Sequence, residues 1–238
     1  MDRLAGAHEL LDGPLDDAAT LAGNLRDLRR ANALLGGVGL SREALDALVG
    51  AEAGRSAAIE LLDVGTGGAD IPIALLADWR ARGRRLAITA IDERPEVVAA
   101  ARLARPAIAS VEGLKLEVGD GLALPFADRS FDVAHTSLVA HHLEPGEAVR
   151  LFSEMVRVSR RGIVVNDLAR GRVALLGAWL LGRLATRNPY SRHDAPLSVR
   201  RAYTLVEMHA LLAVAGLRPI ATRRHFLRHR YAIAAVRA

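Results

Sequence analysis

From Ala57 onward the chain alternates short apolar runs with segments of helical length and periodicity. The apolar runs are Ala57 to Val64, Leu86 to Ile91, Leu114 to Val118, Phe131 to Thr136 and Gly162 to Val165. Helical patterns at Ile71 to Arg82, Glu96 to Arg105 and Glu147 to Ser159 separate them. Such an alternation has few solutions: strands joined by crossover helices lie parallel in one sheet, and helices cover both of its faces. The tail breaks the rhythm. After Asn166-Asp167 an insertion from Leu168 to Val199 combines an apolar helix with a polar loop, for which Asn188-Pro189 and Ala195-Pro196 read as breakers. A helix from Leu205 to Ala215 then leads into two closing runs, Leu217 to Thr222 and Arg230 to Val236, expected as an antiparallel hairpin at the sheet edge. The first fifty residues read as helices, with Leu21, Leu25, Leu28 and Leu35 at helical spacing, a stop at Gly36-Gly37 and a restart at Ser41. The expected organisation is a helical extension over 1–52 and one α/β domain over 53–238, with a lid insertion at 168–200. A chain of 238 residues, half of them hydrophobic, can bury a core of that size.

The first apolar run collapses into a glycine-rich turn, Leu62-Asp63-Val64-Gly65-Thr66-Gly67-Gly68-Ala69-Asp70. A glycine-rich turn between a strand and a helix cradles a nucleotide, and the charges around it indicate which kind. Pyrophosphate favours backbone N–H donors without a neighbouring carboxylate, whereas this turn carries Asp63 and Asp70 and no base. It suits a cationic ligand without phosphate. In a doubly wound sheet the ligand lies outside the carboxyl ends of the strands. The second strand ends at Ile91-Asp92, where an acid accepts from ribose hydroxyls, and the third at Gly119-Asp120-Gly121, where a carboxylate accepts from an adenine amino group. Capping a helix and shaping a turn are the plain alternatives for Asp92 and Asp120. Three signatures at successive strand ends nevertheless converge on one ligand, and S-adenosylmethionine, with its sulfonium and ammonium groups, has the required charge.

These motifs, Leu62 to Gly68, Ala90-Ile91-Asp92, Val118 to Phe126 and Ser130-Phe131-Asp132-Val133-Ala134, resemble those of the class I S-adenosylmethionine-dependent methyltransferases, and most closely the small-molecule branch related to the quinone and menaquinone enzymes. The resemblance covers residues 57 to 167 and extends to the tail in outline. It implies a doubly wound, seven-stranded, mostly parallel sheet of Rossmann-like type with an antiparallel last strand. S-adenosylmethionine would be the methyl donor and S-adenosylhomocysteine the product, with no metal. Pro72 departs from the family pattern but is tolerated in the first turn of a helix. The expected cofactor contacts are Asp63, Gly65, Thr66, Gly67, Asp92, Glu93, Asp120, Gly121 and Ser137, Asp63 reaching the ligand's ammonium through water or else anchoring the loop, with Arg29 of the N-terminal helix pairing with the cofactor carboxylate. A solvated charged face is the alternative for Arg29.

Methyl transfer from a sulfonium is an in-line displacement that depends mainly on alignment, and a base is needed only where the acceptor carries a proton. The turn after the fourth strand holds His141 and His142, which resemble the base of small-molecule O-methyltransferases, and Asp167 ends the fifth strand facing the same pocket. Hydrogen bonding to nearby backbone is the alternative for the histidines, and a helix cap for Asp167. The insertion supplies Trp179, Tyr190, Arg192 and His193 as candidate acceptor contacts. A lid, a homodimer contact and a shallow membrane surface all fit its amphipathic stretch. The expected reaction is O-methylation, with a histidine as base, of a small lipophilic phenolic, quinone or polyketide-type acceptor of the kind met in secondary metabolism. C-methylation of a quinone ring and methylation of rRNA or tRNA are the alternatives.

The net charge of +5 raises the question of nucleic acid, yet all the basic side chains but Lys115 are arginine and aromatic residues make up only 4% of the chain, which points to compositional bias and leaves few stacking platforms. Without cysteine, disulfides and thiolate metal sites are excluded. The run from Val173 to Leu184 is too short to span a bilayer, and Met1-Asp2-Arg3-Leu4 lacks the features of a secretory signal, so the cytoplasm is the expected location. A nicotinamide dinucleotide would meet the Asp70 carboxylate where its fingerprint wants glycine or alanine. A binding protein that keeps only the fold is the remaining alternative.

Overall fold

The computed structural model describes residues 1–15 and 17–238. Seven strands form one sheet: β1 (Ile59–Val64), β2 (Leu86–Asp92), β3 (Leu114–Val118), β4 (Phe131–Ser137), β5 (Ser159–Leu168), β6 (Leu217–Arg224) and β7 (Arg230–Arg237). Their order is β3-β2-β1-β4-β5-β7-β6, with β1 to β5 parallel and β7 antiparallel to both β5 and β6. The closing hairpin therefore lies at the edge, with β7 inserted between β5 and β6. The strand order reverses at β1 and β4, which places a crevice above the carboxyl ends of those strands.

The helices are α1 (Ala18–Leu34), α2 (Gly37–Val49), α3 (Asp70–Ala81), α4 (Pro95–Ala104), α5 (Pro145–Val158), α6 (Arg172–Leu184), α7 (Pro189–Arg201) and α8 (Leu205–Val214). Successive strand residues serve opposite faces: Leu62, Ile163 and Ile233 join the core under α5 and α8, while Leu61, Val164 and Ala234 join the core under α2 and α3. Burial of both faces explains why these strands read as continuous apolar runs. Residues 1–52 divide between two roles. Helix α2 covers one sheet face with Leu40, Ala44 and Leu45, whereas Leu15, Leu21 and Leu25 pack with Val97 and Ala101 of α4 beside the crevice. None of the described helices is long and apolar enough to cross a membrane.

Two local expectations are corrected. Helix α2 starts at Gly37, not Ser41, directly after Gly36 at φ +80°. A Cβ on Gly37 would come within 2.6 Å of Asn32 Oδ1 and 2.7 Å of Arg230 Nη1, so glycine permits the close approach there. The polar part of the insertion is helix α7, not loop. Asn188 caps it, its side chain accepting from the Ser191 N–H at 3.2 Å, and Pro189 occupies the first turn, where an N–H has no intrahelical partner. Pro196 lies inside α7 without ending it. It removes one helical donor, but the buried side of the helix is held from outside. The Asp194 carboxylate accepts from the Leu10 and Leu11 N–H groups at 2.8 and 3.2 Å, and Ser198 Oγ donates to Glu9 Oε2 at 2.8 Å.

Candidate active site

The glycine turn closes on β2. The N–H groups of Gly65 and Thr66 both donate to the Ile91 carbonyl at 2.9 Å, and Gly67 N–H donates to Asp92 Oδ2 at 2.9 Å. Gly65 and Gly67 sit at φ +70° and +55°, in the left-handed region. A Cβ on Gly65 would fall 2.3 Å from Val139 Cγ2. Gly65→Ala is accordingly expected to lower stability by about 1–3 kcal/mol, the usual cost of forcing a side chain into such backbone, read as a fall in the thermal midpoint.

The crevice above this turn is a single cavity. Its floor is Val64 to Gly68 and Gly119 to Gly121, one side carries Asp92 and Glu93, and the other carries Ser137 to Val139 with His142. Helix α1 roofs it with Leu21, Asn24, Leu25, Leu28 and Asn32, and the N-terminal segment adds Leu11 and Asp12. Asp12, Asp70, Asp92, Glu93 and Asp120 all line it, and the lining guanidinium of Arg94 donates to the Leu11 and Gly13 carbonyls instead. Burial raises the carboxyl pKa values of Asp70 and Asp92, and burial followed by the charges of Asp92 and Asp120 raises that of Glu93. A cation entering this cavity stabilises their ionised forms; a pyrophosphate would meet like charge. Two buried polar atoms on the wall, Asn24 Oδ1 and Thr66 Oγ1, have no hydrogen-bond partner among the described residues. The residues present therefore fit a cationic nucleoside such as S-adenosylmethionine.

Gly65, Thr66, Gly67, Asp92, Glu93, Asp120, Gly121, Ser137 and His142 are thus gathered on one cavity, as their spacing along the strand ends implies. Asp63 is not among them. It lies beneath the turn at 3% exposure and accepts from His135 Nδ1 at 2.5 Å, a pairing of β1 with β4 that supports the loop from below. Nor does His141 reach the cavity wall: its ring is buried, with Nδ1 2.6 Å from Asp167 Oδ1, and the Asp167 carboxylate also accepts the His141 backbone N–H. Arg29 lines a separate small cleft next to Gly68, facing Arg26 and Arg105. Of the insertion residues, Trp179 stands on an exposed apolar face of α6 with the Arg183 guanidinium over its ring, His193 is exposed beside Asp194, and neither Tyr190 nor Arg192 lines the cavity.

Several polar residues at the site escape a sequence reading. Asn32 Nδ2 donates to Asp70 Oδ2 at 3.0 Å, while its Oδ1 accepts from Arg230 Nη1 at 2.6 Å. Arg230 also donates to Asn166 Oδ1 and Ser137 Oγ, each at 2.7 Å. One guanidinium thereby ties α1, β4 and β5 together behind the cavity. The visible hint was Asn24 and Asn32 on the same helical face as Leu21, Leu25 and Leu28, where an amide in an apolar stripe calls for a partner.

Comparison with known proteins accords with this geometry. Residues 62–165 match the family model of the methyltransferase domain. Among solved structures, a SAM-dependent methyltransferase from Aquifex aeolicus aligns at TM-score 0.62 and 18% identity, over 90% of this chain and 97% of the other. The mitomycin 7-O-methyltransferase MmcR aligns at TM-score 0.59 and 21% identity, over 93% of this chain and 60% of its own. Human N-acetylserotonin methyltransferase, in complex with SAM, aligns at 0.66 and 18%, over 96% and 61%. The chain thus spans about three fifths of the length of the latter two. A search of curated proteins by sequence finds no match. The family match covers the strand ends that build the cavity, and the solved structures share the fold around it.

Proposed function

We propose that the protein transfers the methyl group of S-adenosylmethionine to a hydroxyl oxygen of a small, largely apolar acceptor, of phenolic or quinol type, held between α1 and the turn after β4. The carrying observation is the chemical asymmetry of the cavity. Its acids cluster over the strand ends, whereas the walls toward Leu21, Leu28, Leu138, Val139 and Leu143 are largely apolar and carry, besides Asn24, the polar pair of His142 with Asp12. The His142 Nδ1–H donates to Asp12 Oδ1 at 2.8 Å, which fixes the tautomer and leaves the Nε2 lone pair free to take a proton. This reading moves the base from His141, sealed against Asp167, to its neighbour. Arg29, which lines a cleft with Gly68, remains the proposed partner of the cofactor carboxylate.

Acceptors bearing phenolic or quinol hydroxyls, offered with labelled methyl donor, are expected to yield labelled ethers. His142→Ala is expected to lower kcat by about 10²-fold, the lower range for loss of a general base, with S-adenosylmethionine affinity retained in calorimetric titration. Label on ring carbon or on RNA, or an unchanged rate in the variant, would overturn the proposal.

A further inference from the structure

The two histidines and the N-terminal segment make an arrangement that acid–base chemistry does not need. Glu9, on the turn before Leu10–Asp12, is 4% exposed although it is a carboxylate. Its Oε1 has no hydrogen-bond partner among the described residues and lies 3.9 Å from His141 Nε2, while its Oε2 lies 3.8 Å from His142 Nε2. Two rings from adjacent residues, with centroids 4.3 Å apart, thus direct the same nitrogen at one buried carboxylate. Each ring is held in that orientation by a separate acid on its other nitrogen: Asp167 Oδ1 at 2.6 Å from His141 Nδ1 and Asp12 Oδ1 at 2.8 Å from His142 Nδ1. A carboxylate can only accept, so each Nδ1 carries the proton and each Nε2 presents a lone pair toward Glu9.

We propose that Glu9, His141 and His142 form a site for a divalent first-row transition metal ion of the zinc, cobalt or iron(II) class. The three donor atoms lie within 4.8 Å of one another. Metal–ligand bonds of about 2.0–2.2 Å put donors on a tetrahedral ion roughly 3.4 Å apart, so the three side chains would draw together on binding. Two imidazoles and one carboxylate are a donor set that these metals accept while retaining open positions. An acid behind each ligating imidazole is the outer shell that such sites use to fix ring and tautomer.

Charge favours the same occupant. Glu9, Asp12, Asp167 and Asp194 face Arg201, whose Nη1 is 2.6 Å from Asp12 Oδ2 and 3.6 Å from Glu9 Oε1, and Arg230, which acts on Asp167 from behind. With both rings neutral and all four carboxyl groups ionised, two guanidinium groups leave two negative charges uncompensated; burial raises the Glu9 pKa to about 7, and a divalent ion would stabilise its ionised form. His142 is the ligand that lines the cavity and Glu9 belongs to the segment that covers its mouth. The ion would therefore clasp that segment to the turn after β4, and because it would occupy His142 Nε2, the base role proposed above belongs to the metal-free chain.

The test titrates metal-free protein with Co²⁺, which absorbs in the visible region when bound by nitrogen and oxygen, and with Zn²⁺ in calorimetric competition. One ion per chain is expected. Asp167→Asn should weaken its binding by about 10–100-fold, as loss of an outer-shell carboxylate does, and Glu9→Gln and His142→Gln should weaken it further. S-adenosylmethionine titration of each variant verifies that the fold persists. Absence of stoichiometric binding to the wild-type chain overturns the proposal, as does binding that Glu9→Gln and His142→Gln leave unchanged, because other histidines would then be the ligands. The readout is metal affinity, so its failure leaves the assignment of the methyl acceptor standing.

Discussion

Arg230→Ala is expected to destabilise the protein by about 3–5 kcal/mol, the range seen when a buried charged network loses one member. The side chain is 3% exposed and its guanidinium donates to Asn166, Asn32 and Ser137. Burial lowers its pKa to about 10, which still leaves it protonated at neutral pH. Truncation removes three charge-assisted hydrogen bonds, strands two buried amide oxygens and opens a void behind the cavity. For a chain of this length the thermal midpoint should fall by roughly 10 °C. Asn32 also holds Asp70 at the cavity wall, so cofactor affinity should fall as well. Arg230→Met fills much of the volume and should recover only part of the loss. A midpoint within about 2 °C of wild type, the shift of a fraction of a kcal/mol, would show that the network contributes little.

Asp92→Ala is expected to weaken S-adenosylmethionine by about 10–100-fold. The carboxylate lines the cavity, and its two oxygens accept from the Gly67 and Arg94 N–H groups at 2.9 and 3.1 Å. Each oxygen retains a second lone pair for a ligand hydroxyl. Two effects therefore combine in the variant: loss of charged hydrogen bonds to the ligand, about 1.5–3 kcal/mol, and loosening of the turn that frames the site. Asp92→Asn should fall between wild type and alanine, because the amide keeps one acceptor but turns its own N–H toward a backbone donor. Calorimetric titration with S-adenosylmethionine and S-adenosylhomocysteine measures both, and unchanged affinity would show that the ribose lies elsewhere.

The parallel strands and the glycine turn were legible because their signals are local. Apolar runs bounded by helices, and Gly65 and Gly67 followed by acids at the next two strand ends, carry their meaning within a few residues. The positions whose role the sequence leaves open or reads otherwise depend on partners far along the chain. Asp63 follows the family motif, yet its partner is His135, whose own other neighbour is Ser41 Oγ at 2.8 Å. Pro196 reads as a breaker because local rules cannot register that Asp194 and Ser198 are anchored to Glu9, Leu10 and Leu11. The pairing of His141 with Asp167 was visible as two chemically apt residues, but which of two adjacent rings lines a cavity depends on the turn Ala140–His142 and the segment lying over it.

The segment that covers the cavity mouth also fixes an order of events during synthesis. Leu10 and Asp12 leave the ribosome early, yet their partners Asp194 and Arg201 follow 184 and 189 positions later. Closing so long a loop is entropically costly, and the strands between are paired among themselves without it. Strands β1 to β5 can therefore pair on a nascent chain whose ligand chamber is still open, and the chamber shuts only when helix α7 emerges and draws the N-terminal segment back.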